Sequence, residues 1–144
     1  MNQRMPMPGE GCFQWNAGGW FGSQTGSTLW MLVAAVVCVT GAPWASVTCV
    51  LCFIVANGAG TWLWSRRDRL RPYPAMQWLV GIVATTGLLA MISIRVFSPS
   101  GFEPSAGWTS EINRGILIML VGAPAFLVYF AFLERSAKKA TTKR

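Results

Sequence analysis

The chain alternates four long apolar stretches with short polar segments. The apolar stretches cover approximately residues 20–40, 44–64, 75–97 and 112–133. Each has the roughly 20 residues that an α-helix needs to cross a hydrocarbon core about 30 Å thick. Charged side chains occur only in the polar segments or close to the ends of the stretches. The pattern predicts an all-α membrane protein, a bundle of four transmembrane helices.

The first stretch has the weakest pattern of the four. Only residues 29–39 are continuously apolar, which is too short a run to cross a bilayer. An alternative fold has three spans, with residues 12–28 as an interfacial or re-entrant N-terminal segment and the N-terminus outside. Residues 40–44 nevertheless read Thr-Gly-Ala-Pro-Trp, and Gly after one helix with Pro at the start of the next is typical of a tight turn. The turn favours four helices, in which the polar residues at positions 23–28 face other helices.

The polar segments differ in charge, and this difference predicts the orientation. Residues 66–71 include four arginines and residues 134–144 form a basic tail, whereas residues 98–110 contain no Lys or Arg. Lys and Arg concentrate in short cytoplasmic loops, so we expect both chain ends on the cytoplasmic side of an inner or plasma membrane. Residues 1–19 are then a tail or interfacial segment, followed by a single transmembrane domain over residues 20–133.

Composition limits the classes of function. The chain is 53% hydrophobic and 12% charged, and it has no histidine; soluble proteins are about 25% charged. The net charge of +7 comes from cations near the span ends, where they set topology and meet anionic lipid, so we expect no nucleic-acid partner. Without histidine or a carboxylate inside a span, we expect no resident cofactor or metal and no enzyme activity.

Gly18, Gly22 and Gly26 recur at every fourth position. Small residues at this spacing let the backbone of another helix approach closely. The pattern predicts a helix-packing face, either within the bundle or between subunits. The alternative is a flexible glycine-rich segment, which the neighbouring Gly19 favours.

Three cysteines, Cys38, Cys49 and Cys52, fall in the first two predicted helices. The Cys-x-x-Cys near the outer end of the second helix resembles the quinone-linked membrane oxidoreductases that make disulfides in the bacterial periplasm. These are four-helix proteins with both ends inside, so the resemblance extends to topology and implies a thiol site.

The rest of that pattern is missing from this sequence. The oxidoreductases need a second cysteine pair in the outer loop between spans three and four, and residues 98–110 have no cysteine. They also have an arginine shortly after the first pair, and residues 53–56 are apolar. Small mercuric-ion carriers are similar in size, but their adjacent cysteine pair is absent here. We therefore expect the thiols to pack as small apolar side chains.

Asn57 is the single amide in the second predicted helix. A buried amide needs a hydrogen-bond partner, and we expect Thr85 and Thr86 of the third helix to provide one. Alternatively, Asn57 binds a solute or ion at a break in the helix beside Gly58.

Charged residues also occur at the predicted outer boundary. Arg95, Glu111 and Arg114 form a candidate charge cluster there. We expect Arg95 to pair with Glu111, because a charge near the bilayer is costly unless it is paired or reaches the interface.

The sequence therefore favours a non-enzymatic membrane component. Its partners would be the lipid bilayer and, through helix packing, a second copy or another membrane protein. The alternative is a small transporter or channel-like subunit for a solute or ion, supported by Asn57, the polar first helix and a predicted kink at Pro124.

Overall fold

The computed structural model describes residues 13–98, 102–104 and 106–142. These residues form four α-helices, and no β-strand occurs among them. The helices are α1 (Ala17–Cys38), α2 (Pro43–Ser65), α3 (Pro72–Phe97) and α4 (Trp108–Thr142). All four are long and apolar enough to cross a membrane. The predicted all-α membrane fold with four helices is therefore confirmed.

α1 is one continuous helix that includes the polar residues before position 29. Its first turn is capped by Asn16, whose side chain accepts a hydrogen bond from the backbone N–H of Gly19 at 3.1 Å. This cap satisfies one of the free N–H groups at a helix start and sets the beginning of α1 three residues before the predicted position 20. α1 ends at Cys38 and α2 begins at Pro43, so residues 29–64 do not form one kinked helix as the three-span alternative would have it. Whether residues 17–28 lie within the bilayer stays a prediction.

The third and fourth helices are longer than their apolar stretches. α3 begins at Pro72 rather than at residue 75, because the first-turn N–H groups of a helix have no helical partner and proline is tolerated there. α4 continues to Thr142, nine residues beyond the predicted end at position 133. Its 35 residues would extend roughly 50 Å, more than a hydrocarbon core of about 30 Å, so charged residues can occupy its last turns.

The helices are arranged around α2 and α3. α2 packs against α1 on one side and α3 on the other, and α1 also touches α3. α4 packs against α3, and within the described residues its backbone does not come close to α1 or α2. The α3–α4 contact is reciprocal, because Met119 lies over Gly87 and Met91 lies over Gly115.

Two hydrophobic clusters hold the bundle together. The larger one lies towards the predicted outer ends and includes Met31, Cys38 and Ile94, with Phe102 of the α3–α4 loop packed against it. The smaller one lies at the opposite end and is centred on Trp20. Its remaining members are Leu63, Ala75 and Leu79, bordered by Trp15, Trp64, Leu70, Ile82 and Val83.

Candidate functional site

Three polar side chains meet between α1 and α2, in the half of the bundle where α1 begins and α2 ends. We refer to Gln24, Thr28 and Asn57 as the polar cluster. Nε2 of Gln24 donates to Oδ1 of Asn57 at 3.1 Å and to the Asn57 backbone carbonyl at 2.9 Å. Nδ2 of Asn57 donates in turn to the hydroxyl of Thr28 at 3.0 Å, and this hydroxyl donates to the Gln24 carbonyl at 2.8 Å. The cluster thus links the two helices by direct side-chain hydrogen bonds.

The carboxamide of Gln24 lies directly on the backbone of α2 at Gly60. A Cβ atom at Gly60 would overlap the Oε1, Cδ and Nε2 atoms of Gln24, so a side chain at this position would require the amide to move. The Gly60 carbonyl accepts a hydrogen bond from Nε1 of Trp20 at 3.1 Å, one turn before Gln24. Gln24 is 2% exposed, and its Oε1 has no hydrogen-bond donor within the described part of the chain.

The predicted partners of Asn57 are wrong, although the amide does bond to a neighbouring helix. Thr85 is exposed, and the hydroxyl of Thr86 donates to the Ile82 carbonyl of its own helix at 2.8 Å. Asn57 lies on the side of α2 that faces α1, so α1 supplies the partners. The sequence signal for them was the pair of polar residues four apart, Gln24 and Thr28, which lie on one face of α1.

The other polar residues of α1 do not face helices. Ser23, Thr25 and Ser27 are exposed, contrary to the expectation that positions 23–28 all face the bundle. The hydroxyls of Ser23 and Ser27 donate to backbone carbonyls one turn earlier in α1, at 3.0 and 2.6 Å. Such internal bonds satisfy a hydroxyl in an apolar environment without a second helix.

The three predicted packing glycines are also exposed within this chain. A Cβ added at Gly22 or Gly26 would meet no heavy atom within 4 Å, and one at Gly18 would meet only Oδ1 of Asn16, at 3.5 Å. None of the four described helices therefore packs on these glycines, and the prediction of a packing face within the bundle is wrong. The physical reason is that Trp20, Gln24 and Thr28 occupy the opposite face of α1 and direct that face to α2. Packing between subunits remains a prediction.

Cys38, Cys49 and Cys52 belong to one buried cluster in the outer half of the bundle. All three are free thiols, and Cys49 lies close to both other cysteines and to the hydroxyl of Ser93. Among the described residues, no group of three or more His, Cys, Asp or Glu side chains has an arrangement that could hold a metal ion. The fourth cysteine, Cys12, lies outside the described residues.

The ion pairing at the outer boundary differs from the prediction. Glu111 accepts from Nη1 of Arg114 at 3.0 Å, an exposed pair one turn apart on α4. Arg95 is exposed on α3 and makes no ion pair with any described residue, so the predicted Arg95–Glu111 pair is wrong. Helix geometry alone brings residues three apart into contact, whereas a pair between α3 and α4 also needs both side chains to point across the interface.

Comparisons with protein-family models, curated proteins and solved structures find no match to this chain. The fold and its contacts therefore define the class of protein directly: an all-α membrane protein with four helices of spanning length, the first two of which are linked by a polar cluster.

Proposed function

We propose that this chain is a multi-pass protein of an inner or plasma membrane, with both ends cytoplasmic, that acts without catalysis by packing against another membrane helix. That helix belongs to a second copy of the chain or to another membrane protein. The observation that supports this proposal is the exposed glycine face of α1, which consists of Gly18, Gly22 and Gly26.

The position of this face around α1 favours a contact from outside the chain. Successive residues of an α-helix are about 100° apart, which places Gly22 on the side of α1 opposite the buried Met31 and Cys38. The strip continues along α1 with the exposed side chains of Leu29 and Val33. Small residues followed by branched apolar ones form a groove and a ridge on one helix face, which suits packing of a second helix.

The remaining helices have a different outer surface. The lipid-accessible faces of α2, α3 and α4 carry large apolar side chains such as Leu51, Leu89 and Phe126, each more than half exposed. Large side chains fill space against lipid tails, whereas a glycine strip offers lipid little contact area. A partner helix that approaches the backbone closely gains dispersion contacts at the strip that lipid does not provide.

The polar cluster supports the same proposal. The side-chain amide of Asn57 and the hydroxyl of Thr28 are used in hydrogen bonds between or within α1 and α2. Gln24 is packed so tightly on Gly60 that no Cβ would fit there. These contacts favour a structural role for the cluster, in which it fixes α1 against α2 and thereby holds the glycine face outward.

The test replaces the glycines of the face in the full-length protein. The variant Gly22→Leu with Gly26→Leu places two bulky side chains on the proposed contact surface. Gly58→Leu is the matched control, because Gly58 is an exposed helical glycine on α2 whose added Cβ also meets nothing within 4 Å. Association is measured by photobleaching step counts of labelled protein in lipid bilayers and by quantitative proximity labelling in cells.

We expect the double variant to lose association that the Gly58→Leu control keeps. Self-association of the pure wild-type protein in bilayers identifies a second copy as the partner. If the wild type is monomeric and the double variant, but not the Gly58→Leu control, changes the set of labelled membrane neighbours, the partner is another membrane protein. A wild type that is monomeric in bilayers and has the same neighbours as the double variant would contradict the proposal.

The alternative function, a small transporter or channel-like subunit, is supported by one observation. Oε1 of Gln24 is a buried acceptor without a donor in the described part of the chain, and buried acceptors are normally paired with a donor, a water molecule or a cation. Proteoliposomes with the wild-type protein and with Gln24→Leu test this alternative by their permeability to monovalent cations. Equal permeability of wild-type, Gln24→Leu and protein-free liposomes would exclude cation conduction.

A further inference from the structure

Two arginines stack on tryptophans where α2 ends. The guanidinium carbon of Arg66 lies 4.4 Å from the ring centroid of Trp62, and that of Arg67 lies 5.3 Å from the ring centroid of Trp64. Nη1 of Arg67 is also within 3.5 Å of the Trp64 carbonyl. Stacking of a guanidinium on an indole face is favourable and leaves the guanidinium edge open to hydrogen bonds, one of which Arg67 donates to the Trp64 carbonyl.

The two stacked pairs lie on different sides of the helix. Trp62 and Trp64 are two residues apart in α2, which corresponds to about 200° around the helix axis. Trp64 faces α1, where it contacts the rings of Trp20 and Phe21. Trp62 points away from α1 and is 53% exposed. Each side of the α2 end therefore presents one guanidinium held by one indole.

The charges around these two guanidiniums are mostly positive. Arg66 and Arg67 are exposed, as is the nearby Asp68, and within the described residues none of the three forms an ion pair. The turn between α2 and α3 adds Arg69 and Arg71, so residues 66–71 have four positive charges and one negative charge. This concentration of cations attracts an anion to the end of α2.

The tryptophans fix the depth at which the cations sit. Indole rings at the ends of membrane helices favour the headgroup region, with the apolar body of the ring towards the lipid tails. A guanidinium stacked on such a ring is held at the level of the lipid phosphates. Its free edge can then donate two parallel hydrogen bonds to one phosphate.

An apolar surface lies directly below the Arg66–Trp62 pair. Ile54 and Val55 are each more than half exposed and lie eight and seven residues before Trp62, which places them on the same face of α2. A phosphate bound by Arg66 would have its acyl chains along these side chains. A free phosphate ion would gain nothing from that surface.

We propose that Arg66 and Arg67 bind the phosphate groups of anionic phospholipids, one on each side of the α2 end, with Trp62 and Trp64 as the positioning residues. The ligand class is a diacyl phospholipid with net negative charge. A zwitterionic lipid fits less well, because its headgroup ammonium would meet the excess of arginines in residues 66–71. This site is separate from the glycine face and does not depend on the function proposed above.

The test measures lipid binding to the full-length protein in a neutral detergent, where no charged membrane surface contributes. Native mass spectrometry follows the retention of phosphatidylglycerol against phosphatidylcholine with the same acyl chains. The test variant is Arg66→Gln with Arg67→Gln. Its matched control is Arg69→Gln with Arg71→Gln, which removes the same charge from the same turn but leaves both stacked arginines.

A charge near an anionic lipid contributes about a fivefold preference. We therefore expect Arg66→Gln with Arg67→Gln to lower the preference for phosphatidylglycerol by about 25-fold. The control pair should change the preference by less than about fivefold, since its arginines have no ring to hold them. An equal loss in both double variants would overturn the proposal, because attraction would then follow charge alone.

Two further measurements separate the site from simpler explanations. Trp62→Leu keeps all charges and an apolar side chain, and loss of its stacking should lower the preference by about two- to fivefold. An unchanged preference in Trp62→Leu would overturn the positioning role. An excess of inorganic phosphate should not displace the lipid. Displacement by phosphate alone would show an anion site without lipid recognition and would also overturn the proposal.

Discussion

Gly60→Ala is the substitution that tests the packing between α1 and α2 most directly. The added methyl group would overlap the carboxamide of Gln24, which is 2% exposed and bonded to Asn57 through two donated hydrogen bonds. The carboxamide can move aside only by giving up those bonds. The methyl therefore acts through Gln24 rather than through the backbone of α2.

The expected loss follows from these contacts. A hydrogen bond between membrane helices contributes about 0.6 kcal/mol on average and up to about 1.7 kcal/mol, so the two bonds of Gln24 contribute about 1–3 kcal/mol. Alanine is preferred over glycine inside a helix by up to about 1 kcal/mol, which opposes the loss. We expect Gly60→Ala to lower the free energy of unfolding by about 0–2 kcal/mol relative to the wild type, and by about 1–3 kcal/mol relative to the same change at Gly58.

The assay is equilibrium unfolding in mixed detergent micelles, followed by circular dichroism. Gly58→Ala is the control, because its added methyl meets nothing within 4 Å and should leave stability unchanged or raise it slightly. The double variant Gly60→Ala with Gln24→Ala completes a double-mutant cycle. We expect the double variant to lose less free energy of unfolding than the sum of the two single losses, since the methyl then fills space that the carboxamide has vacated.

A Gly60→Ala variant as stable as Gly58→Ala would refute the reasoning. Strict additivity in the cycle would also refute it, because the cost of the methyl would then not pass through Gln24.

Three further predictions concern other parts of the chain. Reporter fusions after Arg71 and at the C-terminus should be cytoplasmic, and a fusion within residues 98–110 external, as expected from the charge of the loops. Gly41→Ala should destabilise the protein by about 1–2 kcal/mol in the same unfolding assay, because its Cβ would overlap the ring of Phe102 at the α1–α2 turn. Glu111→Gln should change stability by at most about 1 kcal/mol, because its ion pair is about two-thirds exposed.

Each of these predictions has an outcome that contradicts it. The four-span topology also requires a cytoplasmic N-terminus, so an N-terminal reporter fusion that is external would contradict it. If Gly41→Ala is as destabilising in a Phe102→Ala background as in the wild type, the Phe102 ring is not the cause and the prediction is contradicted. A loss well above 1 kcal/mol in Glu111→Gln would show that the carboxylate has a stronger role than its exposed pair provides.

The sequence predicted the helices better than their ends. The third apolar stretch begins at residue 75, yet its helix begins at Pro72, because first-turn N–H groups need no helical acceptor. Asn16 was not recognised as a cap, although asparagine is a favoured residue there. Both signals are local capping patterns that the sequence itself contains.

Side-chain partners were harder to predict than the helices. The side chain of Asn57 does bond to another helix, as the sequence predicts, but this helix is α1 and not α3. Hydropathy does not distinguish α1 from α3 as the neighbour that Asn57 faces. The rotation of each helix about its axis decides whether Asn57 meets Gln24 of α1 or Thr86 of α3. The same rotation decides that Arg95 does not reach Glu111.

The class of fold follows from the sequence alone, because four long and mainly apolar stretches cannot remain in water and satisfy their backbone as helices in a membrane. The tertiary structure decided which face of each helix is buried. Gln24, seated on Gly60 and bonded to Asn57, turns α1 so that Gly22 and Gly26 point outward. This choice depends on the complementary shape of two helices, and no periodicity in one helix contains that information.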